Sequence, residues 1–125
     1  MMKRIVFMVT VAALLGGLLA PVALAVDSQC TLRPCYGTDT RDKLYERGGE
    51  SVPDTIYGLQ GDDRIRANLF GRDRDVLYGN RDDDILNAQD GDGRDELYGG
   101  AGYDGCLLDE GDLHRGCEEW VIAHE

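Results

Sequence analysis

An aspartate followed two positions later by a small or aliphatic apolar residue recurs along this chain, and seven of these copies follow one regular spacing. The steps between successive apolar positions are 12, 9, 12, 9, 11 and 9 residues, so long and short units alternate. The composite period is therefore 21, 21 and then 20 residues. Self-similarity at such a period is typical of a solenoid or a repeat array. The seven copies are Asp42-Lys43-Leu44, Asp54-Thr55-Ile56, Asp63-Arg64-Ile65, Asp75-Val76-Leu77, Asp84-Ile85-Leu86, Asp95-Glu96-Leu97 and Asp104-Gly105-Cys106.

The alternation of unit lengths predicts what kind of solenoid forms. A half-unit of this length has room for a short strand and a tight turn, and it is too short for a helix plus a strand. Two half-units then make one coil, and neighbouring coils pair as parallel strands. We expect an all-β fold, a short parallel β-roll of about four coils whose two sheets enclose a narrow apolar core. The inward positions on one face are Leu44, Ile65, Leu86 and Cys106, and those on the other are Ile56, Leu77 and Leu97.

The four cysteines fall into this register at the two ends of the repeat. Stepping back one period from Ile56 reaches Cys35, and stepping forward 20 residues from Leu97 reaches Cys117. An even number of cysteines without paired CxxC spacing favours disulfides over a zinc site. Bridges Cys30–Cys35 and Cys106–Cys117 are the simplest of the three possible pairings. They would cap both ends of the solenoid, which otherwise expose unpaired backbone.

The N-terminus has the pattern of a secretory signal peptide. Lys3 and Arg4 precede an apolar run, and Ala23-Leu24-Ala25 has the small-x-small form of a cleavage site. We expect cleavage after Ala25, which favours a secreted, extracellular protein without a membrane span. The competing interpretation is a retained anchor, but the run is short and Pro21 follows it. The predicted organisation is a signal peptide at 1–25, an N-terminal cap at 26–35, the repeat at 36–106 and a C-terminal cap at 107–125, with Trp120 as a lid.

The net charge of the chain argues against some classes of binding partner. The net charge is -11, and removing Lys3 and Arg4 with the signal peptide would make it -13. This acidity argues against nucleic acid as a partner, because the phosphates would be repelled. It fits cation binding or simple solubility. His114 and His124 are isolated, and acids at repeat positions are better explained by the repeat than by catalysis, so no enzyme is predicted.

A tyrosine follows each inward aliphatic residue of the long units. Tyr57, Tyr78 and Tyr98 each precede a glycine, and strand alternation directs them outward. They would stack along one outer face. Such a row stabilises a sheet surface, or it provides a platform for a cell-surface polysaccharide or a protein partner.

The segment Gly99-Gly100-Ala101-Gly102-Tyr103-Asp104-Gly105-Cys106 resembles the RTX, or haemolysin-type, calcium-binding nonapeptide Gly-Gly-x-Gly-x-Asp-x-aliphatic-x. The resemblance covers roughly residues 36–106. It implies a parallel β-roll that takes calcium as its cofactor. The ions would bind to backbone carbonyls of the Gly-rich turns and to the sixth-position aspartate, shared between successive coils.

The resemblance implies a set of metal-binding residues in this chain, although only the last copy of the repeat matches the motif fully. The short-unit turns are the best calcium candidates, and the Asp90–Asp95 turn is the best of the long units. Arg41, Arg74 and Arg94 precede key aspartates, so ion pairs could replace calcium in those turns. The residues implied as metal ligands are Asp42, Gly58, Gly61, Asp63, Asp75, Asp82, Asp84, Asp92, Asp95, Gly100, Gly102 and Asp104.

The sequence therefore predicts an exported calcium-binding β-roll in which the ions cross-link successive turns. Two alternatives remain open at this point. One is a metal-free structural or adhesive solenoid at the cell surface. The other is a carbohydrate- or protein-binding module that uses the tyrosine row.

Overall fold

A computed structural model describes residues 24–30, 34–46, 53–67 and 73–123, and these form eleven short β-strands with no helix among them. No part of the described chain is a helix long and apolar enough to cross a membrane. The predicted signal peptide falls almost entirely outside the described residues. The strands are β1 (Asp27–Gln29), β2 (Cys35–Tyr36), β3 (Lys43–Tyr45), β4 (Thr55–Leu59), β5 (Arg64–Arg66), β6 (Val76–Arg81), β7 (Ile85–Asn87), β8 (Glu96–Ala101), β9 (Gly105–Asp109), β10 (Leu113–Arg115) and β11 (Glu119–Ala123).

The strands alternate between two parallel sheets. The six-stranded sheet has the order β1-β3-β5-β7-β9-β11, and the five-stranded sheet has the order β10-β8-β6-β4-β2. Each coil contributes one strand to each sheet, so every strand pairs with the equivalent strand of the next coil. The predicted parallel β-roll of about four coils in two sheets is confirmed.

The core is a narrow double column between the sheets. Leu44, Ile65, Leu86 and Cys106 are in register on one side, as predicted. Cys35, Ile56, Leu77 and Leu97 are in register on the other. The central aliphatic residues are 0% exposed. A second inward row on the six-stranded sheet is formed by Glu46, Ala67, Ala88 and Leu108, all of them buried.

Disulfides lie near both ends, as predicted. Cys30 bonds to Cys35 and Cys106 bonds to Cys117. Each closes a short loop in the terminal coils, where fewer neighbouring strands hold the chain. By constraining the unfolded chain, a disulfide typically stabilises a fold by about 2–4 kcal/mol.

The last coil departs from the predicted register. Leu97 is paired with His114 rather than with Cys117, which lies in the connection between β10 and β11. The reason is the connection from β9 to β10, residues 110–112, which is much shorter than the preceding connection at 88–95. The shortened turn brings β10 into the sheet earlier than a constant period requires.

The C-terminal tail adds a strand to the roll. β11 pairs with β9 along its whole length, and Trp120 is in register with the buried Cys106. The Trp120 ring contacts the His114 ring at a centroid distance of 4.9 Å. Both residues continue the inward columns past the last apolar pair. The predicted lid is therefore an extra strand whose tryptophan contacts the histidine opposite it, and its indole stays 53% exposed.

A continuous stack of tyrosines covers the outer face of the five-stranded sheet. The distances between the centroids of consecutive rings are 5.0, 4.7 and 4.9 Å, and the interplanar angles are 12°, 5° and 10°. The rings belong to Tyr36, Tyr57, Tyr78 and Tyr98. The stack contains Tyr36 in addition to the three predicted members. Because the faces of Tyr57 and Tyr78 are covered by their neighbours, a sugar ring could not stack on them without separating the ladder. The geometry favours the structural interpretation of the row.

Candidate metal-binding turns

The turns of the roll lie along two edges. We call the connections from the five-stranded to the six-stranded sheet (β2 to β3, β4 to β5, β6 to β7 and β8 to β9) the short-turn edge. The connections in the opposite direction (β3 to β4, β5 to β6, β7 to β8 and β9 to β10) form the long-turn edge. Each edge carries one aspartate per coil, directly before the strand that follows the turn.

The short-turn edge holds a ladder of buried aspartates. The backbone N–H of Asp42 donates to Oδ1 of Asp63, that of Asp63 to Oδ1 of Asp84, and that of Asp84 to Oδ1 of Asp104, each at 2.8 Å. The ladder ends at Glu118, whose Oε2 accepts from the Asp104 N–H at 2.8 Å. Each carboxylate thus satisfies the backbone of the preceding coil.

The long-turn edge has an equivalent ladder. The Asp54 N–H donates to Asp75 Oδ1 at 2.7 Å, and the Asp75 N–H donates to Asp95 Oδ1 at 2.8 Å. The Asp95 N–H donates to Asp112 Oδ1 at 3.0 Å, which closes the series. Both series of sixth-position aspartates therefore point inward and link successive coils.

The second carboxylate oxygen of these aspartates is what makes the turns chemically unusual. Among the described residues, five buried ladder aspartates have an Oδ2 with no hydrogen-bond partner, and a buried anionic oxygen without a partner is costly. These oxygens recur in successive central coils on both edges. They belong to Asp63, Asp84 and Asp104 on the short-turn edge and to Asp75 and Asp95 on the long-turn edge.

Burial shifts the protonation of the ladder. Desolvation, with repulsion from neighbouring carboxylates, raises the pKa of Asp63 and of Asp75 to about 7. The same causes raise the pKa of Asp84 to about 8 and that of Asp95 to about 9. The backbone hydrogen bond to each carboxylate opposes the shift without cancelling it. Near neutral pH these sites therefore hold a proton, or they need another cation.

Glycines make room for the carboxylates on the short-turn edge. A Cβ on Gly58 would lie 2.4 Å from Oδ2 of Asp63, and one on Gly79 would lie 2.3 Å from Oδ2 of Asp84. The corresponding distance from Gly99 to Asp104 Oδ2 is 2.6 Å. A glycine five residues before the aspartate is therefore needed because the carboxylate packs against its Cα. This explains why each outward tyrosine is followed by glycine.

The turns keep one backbone geometry even where the motif glycines are replaced. Gly100 and Gly102 have positive φ angles of 96° and 126°. The equivalent positions in earlier coils are filled by Leu59 (81°), Asn80 (78°), Gly61 (101°) and Asp82 (73°). The degenerate copies of the motif thus fold like the complete copy, although side chains other than glycine are strained at such angles.

This strain predicts that Leu59→Gly stabilises the protein. Leucine at positive φ is disfavoured by roughly 1–2 kcal/mol, and part of this gain is offset by the flexibility that glycine adds to the unfolded chain. We expect the free energy of unfolding to rise by about 0.5–1 kcal/mol, measured by urea denaturation. Leu107→Gly, in the regular strand β9, is the matched control and should destabilise. A loss of stability in Leu59→Gly would contradict the assignment of strain.

Carboxylates also gather on the long-turn edge. Three groups of acids each offer oxygens within 4.8 Å of one another: Glu46 with Asp54 and Asp75, Asp73 with Asp75 and Asp90, and Asp90 with Asp92 and Asp95. Among the described residues, groups of this kind occur only there. The short-turn edge, favoured by the sequence, offers one buried carboxylate per coil together with the turn backbone.

The structure places the predicted ligands in distinct settings. Asp42, Asp63, Asp84 and Asp104 line the short-turn ladder, while Asp75, Asp92 and Asp95 lie in the long-turn groups. Asp82 is exposed, and its Oδ2 accepts from the Gly61 N–H at 2.8 Å. Gly58, Gly61, Gly100 and Gly102 shape the turns.

Sequence reasoning missed Glu46 and Asp73. Glu46 has a detectable signal, because one period later its position is taken by Ala67 and then by Ala88. An acid in a column of buried alanines indicates a polar site. Asp73 follows residues 68–72, which lie outside the described part of the chain, and its position has no counterpart in the repeat pattern.

In the part of the chain that the structure describes, Arg41 and Arg74 form ion pairs outside the buried ladders. Arg41 pairs with the exposed Asp62 at 3.4 Å, and Arg74 pairs with Glu96. Neither ion pair involves a ladder aspartate. These two ion pairs therefore do not replace calcium at the ladder aspartates, a possibility that the sequence left open.

The fold and the turns together define a parallel β-roll whose aspartates present buried carboxylate oxygens to each coil boundary. The family model described as RTX calcium-binding nonapeptide repeat (4 copies) matches residues 49–69, 71–92 and 88–111. The chain belongs to this family, as its motif predicted. Comparison with curated proteins gave no match, and neither did comparison with solved structures.

Proposed function

We propose that this protein is an exported, non-catalytic calcium-binding β-roll in which calcium ions at the turns hold successive coils together. The observation that carries the proposal is the set of buried Oδ2 atoms, repeated in successive central coils, that no described donor satisfies. Calcium takes six to eight oxygen ligands in flexible geometry, and carboxylates beside turn carbonyls supply such ligands. The proposed ligands are the ladder aspartates with the backbone of the Gly-rich turns.

Calcium binding at these turns would be coupled to stability. The ladder carboxylates are brought close only in the folded chain, so an ion that binds there stabilises the native state selectively. It would also remove the repulsion within an acidic molecule. The two disulfides and the N-terminal signal pattern support export, and extracellular fluids supply calcium at concentrations that weak sites can use.

The test is thermal unfolding of the oxidised protein in millimolar calcium and in EDTA. At a free calcium concentration of one hundred times Kd, each site adds about 2.7 kcal/mol. For a domain of this size, two such sites correspond to a rise in Tm of roughly 20 °C or more. Equal concentrations of magnesium should give a much smaller shift, since magnesium demands octahedral geometry and keeps its water. Identical melting curves in calcium and in EDTA would refute the proposal.

A further inference from the structure

The two sheets of the roll differ in what covers their outer faces. The tyrosine stack covers the five-stranded sheet, whereas the six-stranded sheet has no such cover in the described part of the chain. Its outward side chains form two rows that are in register from coil to coil. The first row contains Lys43, Arg64, Ile85, Gly105 and Glu119, and the second contains Tyr45, Arg66, Asn87, Leu107 and Val121.

The N-terminal half of this face is basic, although the chain as a whole has a net charge of -11. Lys43, Arg64 and Arg66 are adjacent in the rows, and all three are exposed. The Lys43 Nζ lies 3.3 Å from Oδ2 of Asp27. Neither Arg64 nor Arg66 forms an ion pair with a carboxylate of the described residues. Two guanidinium groups are therefore available to carboxylates of another molecule.

The C-terminal half of the face is a hollow with apolar walls and an acidic rim. Its floor is Gly105, where a Cβ would meet no atom within 4 Å. The depression has a volume of about 480 Å³, and Ile85 and Val121 are among the residues that line it, with exposures of 45% and 59%. Asp83 and Glu119, both exposed, place carboxylates on its rim. An arginine side chain, with an apolar stem and a charged head, complements such a hollow.

The basic half and the hollow complement each other when a second copy of the chain is turned over the face. A two-fold axis parallel to the strands and above β7 places β5 opposite β9 of the second copy, and β3 opposite β11. This rotation keeps the strand direction, so the first row faces the first row of the second copy. Arg64 then faces the hollow at Gly105, and Lys43 faces Glu119. Each contact occurs twice, as in any isologous interface.

The charges also select this orientation over the other two-fold arrangement of the face. An axis along the length of the roll would place each strand opposite its own copy and the first row opposite the second. Arg64 would then face Arg66, and like charges in an interface cost several kcal/mol. The axis parallel to the strands is therefore the one that the charge pattern favours.

We propose that the outer face of the six-stranded sheet is a self-association surface, through which two copies of this chain form a weak two-fold dimer. With strands about 4.8 Å apart and about 3.3 Å per residue, the face from β3 to β11 covers roughly 300 Å² in projection. A standard stable interface buries about 800 Å² per partner, so this contact belongs to the weak, transient class. Calcium at the turns is not required for it.

The first test is sedimentation equilibrium of the oxidised protein from micromolar to millimolar concentration. We expect the wild type to dimerise reversibly. Arg64→Glu places an acid against the acidic rim, and Gly105→Arg fills the hollow with a cation that faces Arg64. Each should raise the Kd of the dimer at least tenfold. Arg81→Glu makes the same change of charge at an exposed position of the other sheet and should keep the wild-type Kd.

Mixing the two variants separates a lost contact from a lost fold. In a mixed dimer the acid introduced by Arg64→Glu faces the arginine introduced by Gly105→Arg, while the other copy of the contact is that of the wild type. We therefore expect an equimolar mixture of the two variants to dimerise at least as strongly as the wild type. A misfolded variant could not restore the interface in this way.

Three results would overturn the proposal. The wild type could stay monomeric at every concentration, or the mixture could stay as monomeric as the separate variants. The third is a dimer that persists in Arg64→Glu and Gly105→Arg, which would assign the contact to another surface, such as the free edge of β11. None of these results bears on calcium binding, which the melting experiment in calcium and EDTA tests separately.

Discussion

In the absence of calcium the protein is expected to become more stable as the pH falls from about 9 to about 4. The pKa values of Asp63, Asp75, Asp84 and Asp95 are raised to about 7 to 9 in the fold, against about 3.9 in an unfolded chain. Between these values the native state binds more protons than the unfolded state, so the free energy of unfolding decreases as pH rises. The stabilisation is complete below about pH 4 and is lost progressively by about pH 9.

The size of this effect should be several kcal/mol, since each unit of pKa difference is about 1.36 kcal/mol before solvent screening, which reduces the combined contribution of the four aspartates severalfold. Calorimetry in EDTA at pH 5 and at pH 8.5 measures it. Asp95→Asn removes the carboxyl group with the highest of these pKa values and should flatten the dependence, while its Oδ1 still accepts from the Asp75 N–H. A higher melting temperature at pH 8.5 than at pH 5 in EDTA would contradict the assignment. With calcium bound the dependence should reverse, because protons and calcium compete for the same oxygens.

Leu77→Ala is expected to destabilise the protein by about 3–4 kcal/mol, well within the range for buried leucines. Leu77 is 0% exposed and lies between Ile56 and Leu97 in the column of the five-stranded sheet. The core is only one side chain deep on each sheet, and the parallel ladders hold the strands in place. The cavity therefore has few neighbours that could move to fill it.

Urea denaturation of the calcium-loaded protein measures this loss. Leu113→Ala is the matched control, because Leu113 lies in the same sheet and is 63% exposed. Its effect should stay within about 0.5 kcal/mol. Comparable losses in the two variants would show that the column does not carry the stability of the fold.

The repeat period was enough to predict the architecture because each coil pairs with its neighbour in the same way. A parallel ladder places equivalent residues side by side, so a spacing of 20 or 21 residues assigns Leu44, Ile65 and Leu86 to one column. The same argument paired Cys35 with Ile56 correctly. It paired Cys117 with Leu97 wrongly, since the length of the final turn is set by local backbone geometry and not by the repeat.

The site was less predictable than the fold for a different reason. Ladder aspartates repeat with the period, so their positions follow from the sequence. The groups on the long-turn edge bring together acids of neighbouring turns that have no common spacing. Glu46 meets Asp75 of the next long turn in this way. Such a meeting is visible only when the path of each turn is known.

The aspartate ladders run in one direction, and this makes the two ends of the molecule unequal during folding. Each coil donates its backbone N–H to a carboxylate of the coil that follows it in the chain. A chain truncated at its N-terminus leaves a carboxylate oxygen without its donor, which water or a cation can replace, whereas one truncated at its C-terminus leaves a backbone N–H without its acceptor. When a chain is made from its N-terminus, the backbone N–H of each newly formed coil therefore has no acceptor until the next coil folds. Stable folding should begin at the C-terminal coils, where Glu118 closes the ladder, and spread towards the N-terminus.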